Sequence, residues 1–513
     1  MRHLEPGPVL AVRAIGGLHV VTLAWDFAAG QDAKKDGLLG FAIERSELDT
    51  HGAIVERYFL RGIKRFKFKD EGLAPGTPVP TSEHPIQTFQ WGDYTPKPAT
   101  TYRYRVVPVY GKPKLLVLDD ASATTVEITT EAEQGKAGAG GVASHDIYFN
   151  RGAAGSQFYV RKFGMKVPDE TKPGSEQMKW LSRGLFEALT KFIGRAAKAD
   201  AADYTLRAML YEFHYLPVGQ AFAGARDAGA DVAIRYEAQS YKDENEAMIA
   251  AAGIGDICIP QKSRDGIRHN KFIVLIHQGT PIAVWTGSTN ISAGGIFGHS
   301  NVGHAIWDQG IAQRYLEYWT RLANPTVTRK PLVTANLAIE PTPAHDAEPP
   351  TDRYAVFDKS IDSATEDQID ATGNTVIAAG AKLEPGDLET FLGEHLTGFN
   401  HNLYIHDKFM LVDPLGTDPI VVTGSANFSR PSQVDNDENM VVVRDQERVA
   451  DIYFGEFMRI FDHLYARYIV RKIQAAGTGN PDAGFLKEKA EDWVPAHFKP
   501  GRKDLRRRYF MGA

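Results

Sequence analysis

Apolar and polar positions follow two regimes along this chain. Up to about residue 130, short alternating segments recur: Val9 to Val12, His19 to Trp25, Phe41 to Arg45, Ile54 to Leu60, Tyr102 to Pro108 and Thr124 to Thr129. Turn-rich connections such as Gly76-Thr77-Pro78 separate them. Period-two alternation with turns at this spacing predicts an all-β sandwich over residues 1–130. Residues 131–144 are rich in Gly and Ala and read as a linker.

From residue 145 the pattern alternates strand and helix. Ile147 to Gly152 reads as a strand leading into a turn, and Leu181 to Ala197 carries Leu181, Leu185, Leu189, Phe192 and Ile193 at helical spacing. Leu206 to Tyr211 reads as a strand, Gln220 to Ala228 as a helix, Asp231 to Tyr236 as a strand and Gly310 to Leu322 as a closing helix. This order predicts an α/β unit over 145–325 with a parallel or mixed sheet. Residues 326–351, with Pro341, Pro343, Pro349 and Pro350, read as a connector. A second α/β unit over 352–475 opens at Tyr354 to Phe357, with helices expected at Leu388 to Gly398 and Glu447 to Ala475. Residues 476–513 form a tail ending in the basic Arg506-Arg507-Arg508, read either as an ordered cover or as a basic extension.

The two α/β units repeat one another. His269-Asn270-Lys271-Phe272 precedes Gly287-Ser288-Thr289-Asn290-Ile291-Ser292, and His406-Asp407-Lys408-Phe409 precedes Gly424-Ser425-Ala426-Asn427-Phe428-Ser429. Both 406 − 269 and 424 − 287 give 137, so the copies stand in register without a gap. A self-match of this length indicates a duplicated structural unit. Phe272 to Ile276 and Phe409 to Val412 are continuously apolar, as in strands covered on both faces. Each histidine and its lysine are two residues apart and so share a face at the strand start. The Gly-Ser-x-Asn block follows a second apolar run (Ile282 to Trp285; Ile420 to Val422), where small residues allow close backbone approach and Ser and Asn offer hydrogen bonds to an oxyanion.

H-x-K-x4-D followed by G-S-x-N resembles the signature of the phospholipase D superfamily. The second copy matches through Asp413, whereas the first has Ile276 at that position. The resemblance covers roughly residues 145–475. It implies two α/β halves related by pseudo-two-fold symmetry and phosphodiester cleavage through a phosphohistidine, with no cofactor and no metal. By this resemblance His269 is the nucleophile, and His406 protonates the leaving alcohol and then activates water. Lys271 and Lys408, with Ser288, Asn290, Ser425 and Asn427, bind the phosphate, and Asp413 is a structural member of the motif. Glu438, eleven positions after Asn427, stands where the family places a carboxylate that orients the histidine of the opposite half, here His269. Its first-half counterpart is Asn301 (438 − 137), so His406 is expected to lack a carboxylate partner. The chemistry suits these residue types: imidazole titrates near neutrality, and lysines stabilise charge on non-bridging oxygens.

Other features add limits. Trp25 within Thr22-Leu23-Ala24-Trp25, and Tyr102 and Tyr104 within Thr101 to Val106, resemble the tryptophan and tyrosine strands of a fibronectin type III domain. The cationic and aromatic run Arg61 to Lys69 reads as a solvated strand edge ahead of a phosphate contact. Net charge is −6, against a dedicated non-specific nucleic-acid binder. The lone Cys258 reads as a small buried hydrophobe and permits no intrachain disulfide. No stretch approaches the ~20 apolar residues of a membrane span, and the N-terminus lacks a signal-peptide core, so a cytoplasmic protein is expected. His401 and His406 lack the i, i+4 spacing of a helical metal pair, and His299 and His304 read as loop or supporting residues.

Three functions follow: a phospholipase D-type hydrolase, a nuclease of the same superfamily, and a catalytically weak scaffold whose sandwich binds a protein partner. The intact His, Lys and Asn in both copies count against the third. Both half-sites lie in one chain, which predicts a monomer. The loop Ala293 to Gly298 offers Ile296 and Phe297 either to a lipid interface or to the core.

Overall fold

The computed structural model describes the chain except residues 70–71, 74–76, 136–143, 153–155, 165, 263–265, 324–328, 340–351, 358–404, 430, 433–434, 476–484 and 513. Among the described residues no helix is long and apolar enough to cross a membrane. The fold is mixed α/β with a β-rich N-terminal region, and its contacts divide into two compact units.

The first unit comprises 1–133, 413–419 and 446–513. Its strands are β1 (Arg2–Pro6), β2 (Leu10–Gly16), β3 (Val21–Phe27), β4 (Gly40–Leu48), β5 (Ile54–Phe59), β6 (Arg61–Gly62), β7 (Val79–Pro80), β8 (Gln90–Asp93), β9 (Thr101–Lys112), β10 (Leu115–Leu118) and β11 (Thr124–Thr129). One sheet runs β1-β2-β3-β8, and a second runs β10-β9-β4-β5 with β11 also paired to β9. Trp25, Phe41, Phe89, Tyr102 and Tyr104 bury their rings in the core of this unit.

The basic run departs from a continuous strand edge. Only Arg61–Gly62 is strand, Arg65 and Phe66 turn inward, and Phe66 N donates to His84 Nδ1 at 3.1 Å. The C-terminal part also differs from the sequence reading. The helix Glu447–Ala475 has the expected span but groups with the β-rich unit rather than with the second α/β half. Of the two readings of the tail, its described residues take the ordered one. Trp493 and Val494 complete the β core, the Trp493 indole donates to Leu38 O at 3.1 Å, and Arg507 pairs with Asp26. Two large apolar side chains gain more from burial here than from solvent exposure.

The second unit comprises 134–412 and 420–445. Its first sheet contains β12 (Ser144–Phe149), β13 (Tyr204–Leu210), β14 (Asp231–Glu237), β15 (Cys258–Gln261), β16 (Lys271–His277), β17 (Thr280–Gly287) and β18 (Val302–Trp307), in the order β12-β18-β17-β16-β13-β14-β15. β13, β14 and β15 are parallel and the remaining pairs antiparallel. The second sheet runs β19-β22-β21-β20, with β19 (Asp352–Phe357), β20 (Phe409–Val412), β21 (Ile420–Gly424) and β22 (Asn439–Arg444). Its strands follow the order β12-β18-β17-β16 of the first.

The helix expected over 181–197 is broken in two, at Glu176–Ser182 and Leu185–Ile193. Arg183 (φ 49°) and Gly184 (φ 91°) are left-handed between them, which ends a right-handed helix. The expected connector contains a helix at Arg329–Ile339. Ile296 and Phe297 are fully buried, so the lipid-facing reading of that loop is corrected: they are core. Cys258 is half-buried rather than buried, and burial pushes its thiol up to about 12. The expected helix at Leu388 to Gly398, and His401, lie outside the described residues.

Candidate active site

Both motifs sit immediately before their strands. Lys271 is the first residue of β16 and His269 lies two positions ahead; Lys408 is one residue before β20. Each lysine turns back to its own histidine: Lys271 Nζ donates to His269 O at 2.5 Å, and Lys408 Nζ to His406 O at 2.8 Å.

The two copies meet reciprocally. Arg268 forms a parallel bridge with Asp437, and Ser300 forms one with Ile405; each partner is displaced by 137 from its equivalent. His269 N donates to Asp437 O at 3.1 Å, and His406 N to Ser300 O at 3.0 Å. Each histidine is therefore held beside the residue that follows its bridge partner. His269 Nδ1 lies 2.8 and 3.0 Å from the two carboxylate oxygens of Glu438. His406 Nδ1 lies 2.9 Å from Asn301 Oδ1.

Behind these contacts stand the motif serines. Ser425 Oγ donates to Glu438 Oε2 at 2.6 Å and accepts from Asn439 N; Ser288 Oγ donates to Asn301 Oδ1 at 2.8 Å and accepts from Val302 N. Both serines are completely buried. Their hydroxyls are spent on the groups that hold the histidines, which corrects the expectation that Ser288 and Ser425 bind substrate. The glycines before them are required by space as well as by conformation. Gly287 (φ 126°) and Gly424 (φ 152°) are left-handed, and a Cβ on either would collide with a carbonyl, Val302 O or Asn439 O.

The motif asparagines differ. Asn290 is buried and its Nδ2 donates to Glu212 Oε1 at 2.6 Å, whereas Asn427 is exposed. Asp413 groups with the β-rich unit. It is exposed, left-handed (φ 41°), and accepts a hydrogen bond from the Tyr509 hydroxyl at 2.9 Å.

Burial dominates the electrostatics. It lowers Lys271 to about 7 and Lys408 to about 8; Glu438 and Glu212 pull both lysines back up, Asp407 helps to raise Lys408, and Lys408 further lowers Lys271. Burial also works to raise Glu438, but His269, Lys271 and the Ser425 hydrogen bond outweigh it and hold the carboxyl at about 2. Burial and then Lys271 push His269 below its ordinary value against the pull of Glu438. His406 goes well below its ordinary value, through burial and then the charges of Lys408 and Lys271. The site thus joins two imidazoles whose Nδ1 atoms are occupied, two lysines lowered toward neutrality and the carboxylates of Glu438 and Glu212.

Several participants were not singled out from the sequence. Asn439 Nδ2 donates to Asn270 Oδ1 at 2.7 Å, and Asn439 Oδ1 accepts from Thr286 and from Tyr315, tying the motifs together. Tyr211 packs edge-on against His269, with ring centroids 4.9 Å apart, and lies 5.0 Å from Lys271 Nζ. Glu212 follows it. The available signal was position: both residues come just after β13, at the carboxyl end of a strand parallel to β14, where α/β sheets place their ligands. His299 lies beside His406 at 5.7 Å between ring centroids, while His304 pairs with His145.

Comparison with known proteins agrees with the motifs. Residues 380–464 match the family model described as cardiolipin synthase, PLD-like domain. No curated protein matches the chain. Similar solved structures include Nuc, a phospholipase D family member from Salmonella typhimurium (20% identity, 35% of this chain and 92% of that one, TM-score 0.23). NucT from Helicobacter pylori is similar at 16% identity over 28% of this chain and 88% of that one, TM-score 0.23. Phosphatidylserine synthase from Haemophilus influenzae Rd KW20 is similar at 11% identity over 54% and 85%, TM-score 0.36. The family-model match at residues 380–464 spans the second histidine-lysine motif and its Gly-Ser-x-Asn block.

Proposed function

We propose that this protein is a phosphodiester hydrolase of phospholipase D type that works through a phosphohistidine. The observation that carries the reading is the pair of histidines from two sequence copies, each with Nδ1 held inside one cluster that also contains both lysines. The reciprocal bridges support a pseudo-two-fold relation between the halves.

With Nδ1–H donated to Glu438, the His269 Nε2 keeps its lone pair for phosphorus. Nε2 attacks, the P–O bond to the leaving alcohol breaks, and the alcohol oxygen takes a proton from protonated His406. The monoanionic substrate brings negative charge that favours this protonated form. Lys271 and Lys408 stabilise the non-bridging oxygens. Neutral His406 then takes a proton from water as its oxygen attacks phosphorus, the P–N bond breaks, and His269 is regenerated.

The test is one purified preparation assayed against phosphatidylcholine, cardiolipin, single-stranded DNA and bis-p-nitrophenyl phosphate. Turnover of a lipid together with the chromogenic diester supports the reading. Turnover of DNA without either lipid moves it to a nuclease. No turnover of any diester overturns it.

A further inference from the structure

Glu212 lies outside both repeated motifs, yet it contacts one of their members. Its Oε1 accepts from Asn290 Nδ2 at 2.6 Å. The backbones run side by side: Ile291 N donates to Glu212 O at 3.0 Å, His214 N donates to Ile291 O at 3.0 Å, and Phe213 bridges Ile291. The pair is therefore clamped by main chain as well as by side chain. Asn290 is 2% exposed, and its Oδ1 has no hydrogen-bond partner among the described residues. An ionised carboxylate only accepts, so it dictates which way round the amide stands. Nδ2 faces Glu212 and spends one hydrogen there, and the second hydrogen is left over.

A carboxylate near an anion site is costly by simple repulsion. Its presence calls for a compensating role, and the surrounding charges supply one. Lys271 meets Glu438, Lys408 and Glu212; Lys408 meets Glu438, Asp407 and Glu212. The other titratable neighbours are His269, His406, Tyr211 and Tyr241. Two buried ammonium groups need more than one negative partner to remain protonated.

We propose that Glu212 is a positioning residue of the phosphodiester site: it fixes the Asn290 amide so that the second Nδ2 hydrogen is presented to a non-bridging phosphate oxygen, and it serves as counter-charge to Lys271 and Lys408. The inference rests on the phosphodiesterase reading. It makes the first half the one with the preset phosphate donor, in contrast to exposed Asn427.

The experiment compares wild type, Glu212→Gln, Glu212→Ala, Asn290→Ala and the Glu212→Ala/Asn290→Ala double variant. Each is assayed for kcat and KM on bis-p-nitrophenyl phosphate across pH, and for tungstate binding by calorimetry. Loss of a hydrogen bond to a charged group should cost Glu212→Ala about tenfold in kcat/KM, with Asn290→Ala similar. The double variant should lose less than the product of the two single losses, because the Asn290 donor is removed only once while the counter-charge of Glu212 is lost as well. Glu212→Gln keeps an acceptor for Asn290 and should recover to within about threefold at pH 6, while its basic limb moves to lower pH because the lysines lose a counter-charge. A purely structural role would not move that limb. Single variants whose effects multiply in the double, or a Glu212→Gln profile that overlays wild type, would overturn the proposal with the phosphodiesterase reading intact. If wild type turns over no diester, that reading falls and tungstate decides the inference separately. Affinity lost in Glu212→Ala and restored in Glu212→Gln supports it, and equal affinity in all five proteins overturns it.

Discussion

His406 Nδ1 meets Asn301 Oδ1 at 2.9 Å, in the place where His269 meets the Glu438 carboxylate at 2.8 Å. The amide holds the ring and its tautomer as a carboxylate would, but it adds no charge to stabilise the imidazolium. Asn301→Asp should therefore raise the His406 pKa and move the basic limb of the pH–rate profile upward by about one unit for a diester with a poor leaving group. The sign follows from the acid role, since a higher pKa keeps the proton on His406 to higher pH. Asn301 Nδ2 also donates to Gly295 O at 2.7 Å, so the aspartate should cost about 1–3 kcal/mol of stability by leaving that carbonyl unpaired. A pH–rate profile and a melting curve check the two effects separately.

The two histidines should fail differently when removed. His269→Ala should abolish both turnover and covalent labelling. His406→Ala should still label His269 with bis-p-nitrophenyl phosphate, because p-nitrophenolate leaves without a proton, and should then discharge the intermediate about 10²–10⁴-fold more slowly. Acid-quenched digestion and mass spectrometry locate the phosphoryl group. Label on His406 in the His269→Ala protein would reverse the roles.

Anion affinity should fall steeply with pH. Lys271 and Lys408 lose their protons near 7 and 8, mainly through burial, and only the protonated forms attract an anion. Tungstate stays a dianion across this range, so its affinity should drop on the order of 10²-fold between pH 6 and pH 9. A calorimetric titration series at constant ionic strength measures it, and a flat profile would reject the lysines as the anion's partners.

Hydrolysis should survive removal of divalent ions. The charge that a metal would supply comes here from two lysines, and the proton transfers from two imidazoles. Protein dialysed against EDTA should keep more than about half of its kcat/KM for bis-p-nitrophenyl phosphate. Loss of activity restored only by added metal is the contrary result.

Asp413→Ala should affect stability and spare chemistry. Asp413 accepts from Tyr509, and among the described residues none of its hydrogen bonds involves the histidines or lysines of the motifs. Losing that exposed hydrogen bond should cost about 0.5–1.5 kcal/mol with kcat within about twofold of wild type. Thermal melting and steady-state kinetics on one preparation decide it.

The repeated motifs were legible in the residues themselves. A constant offset of 137 relates His269 to His406, Lys271 to Lys408, Ser288 to Ser425, Asn290 to Asn427 and Asn301 to Glu438, because duplication preserves spacing. The strands, too, were readable, since their periodicity comes from which faces are buried. Other features depended on the tertiary structure. Ser288 and Ser425 carry the right residue type for binding phosphate, but whether a hydroxyl faces substrate or the neighbouring Asn301 amide or Glu438 carboxylate is a matter of three-dimensional placement. Ile276 and Asp413 occupy equivalent positions with opposite surroundings. β16 lies between two strands, so Ile276 is buried against β13, whereas β20 ends its sheet among the described residues and Asp413 turns out to solvent. Glu212 belongs to no repeat, and no local pattern marks it. It reaches Asn290, 78 positions away, because the chain leaves β13 alongside Ile291. Sequence spacing determines which side chains recur at equivalent positions; only the packed chain decides which of their atoms are already paired and which remain for a ligand.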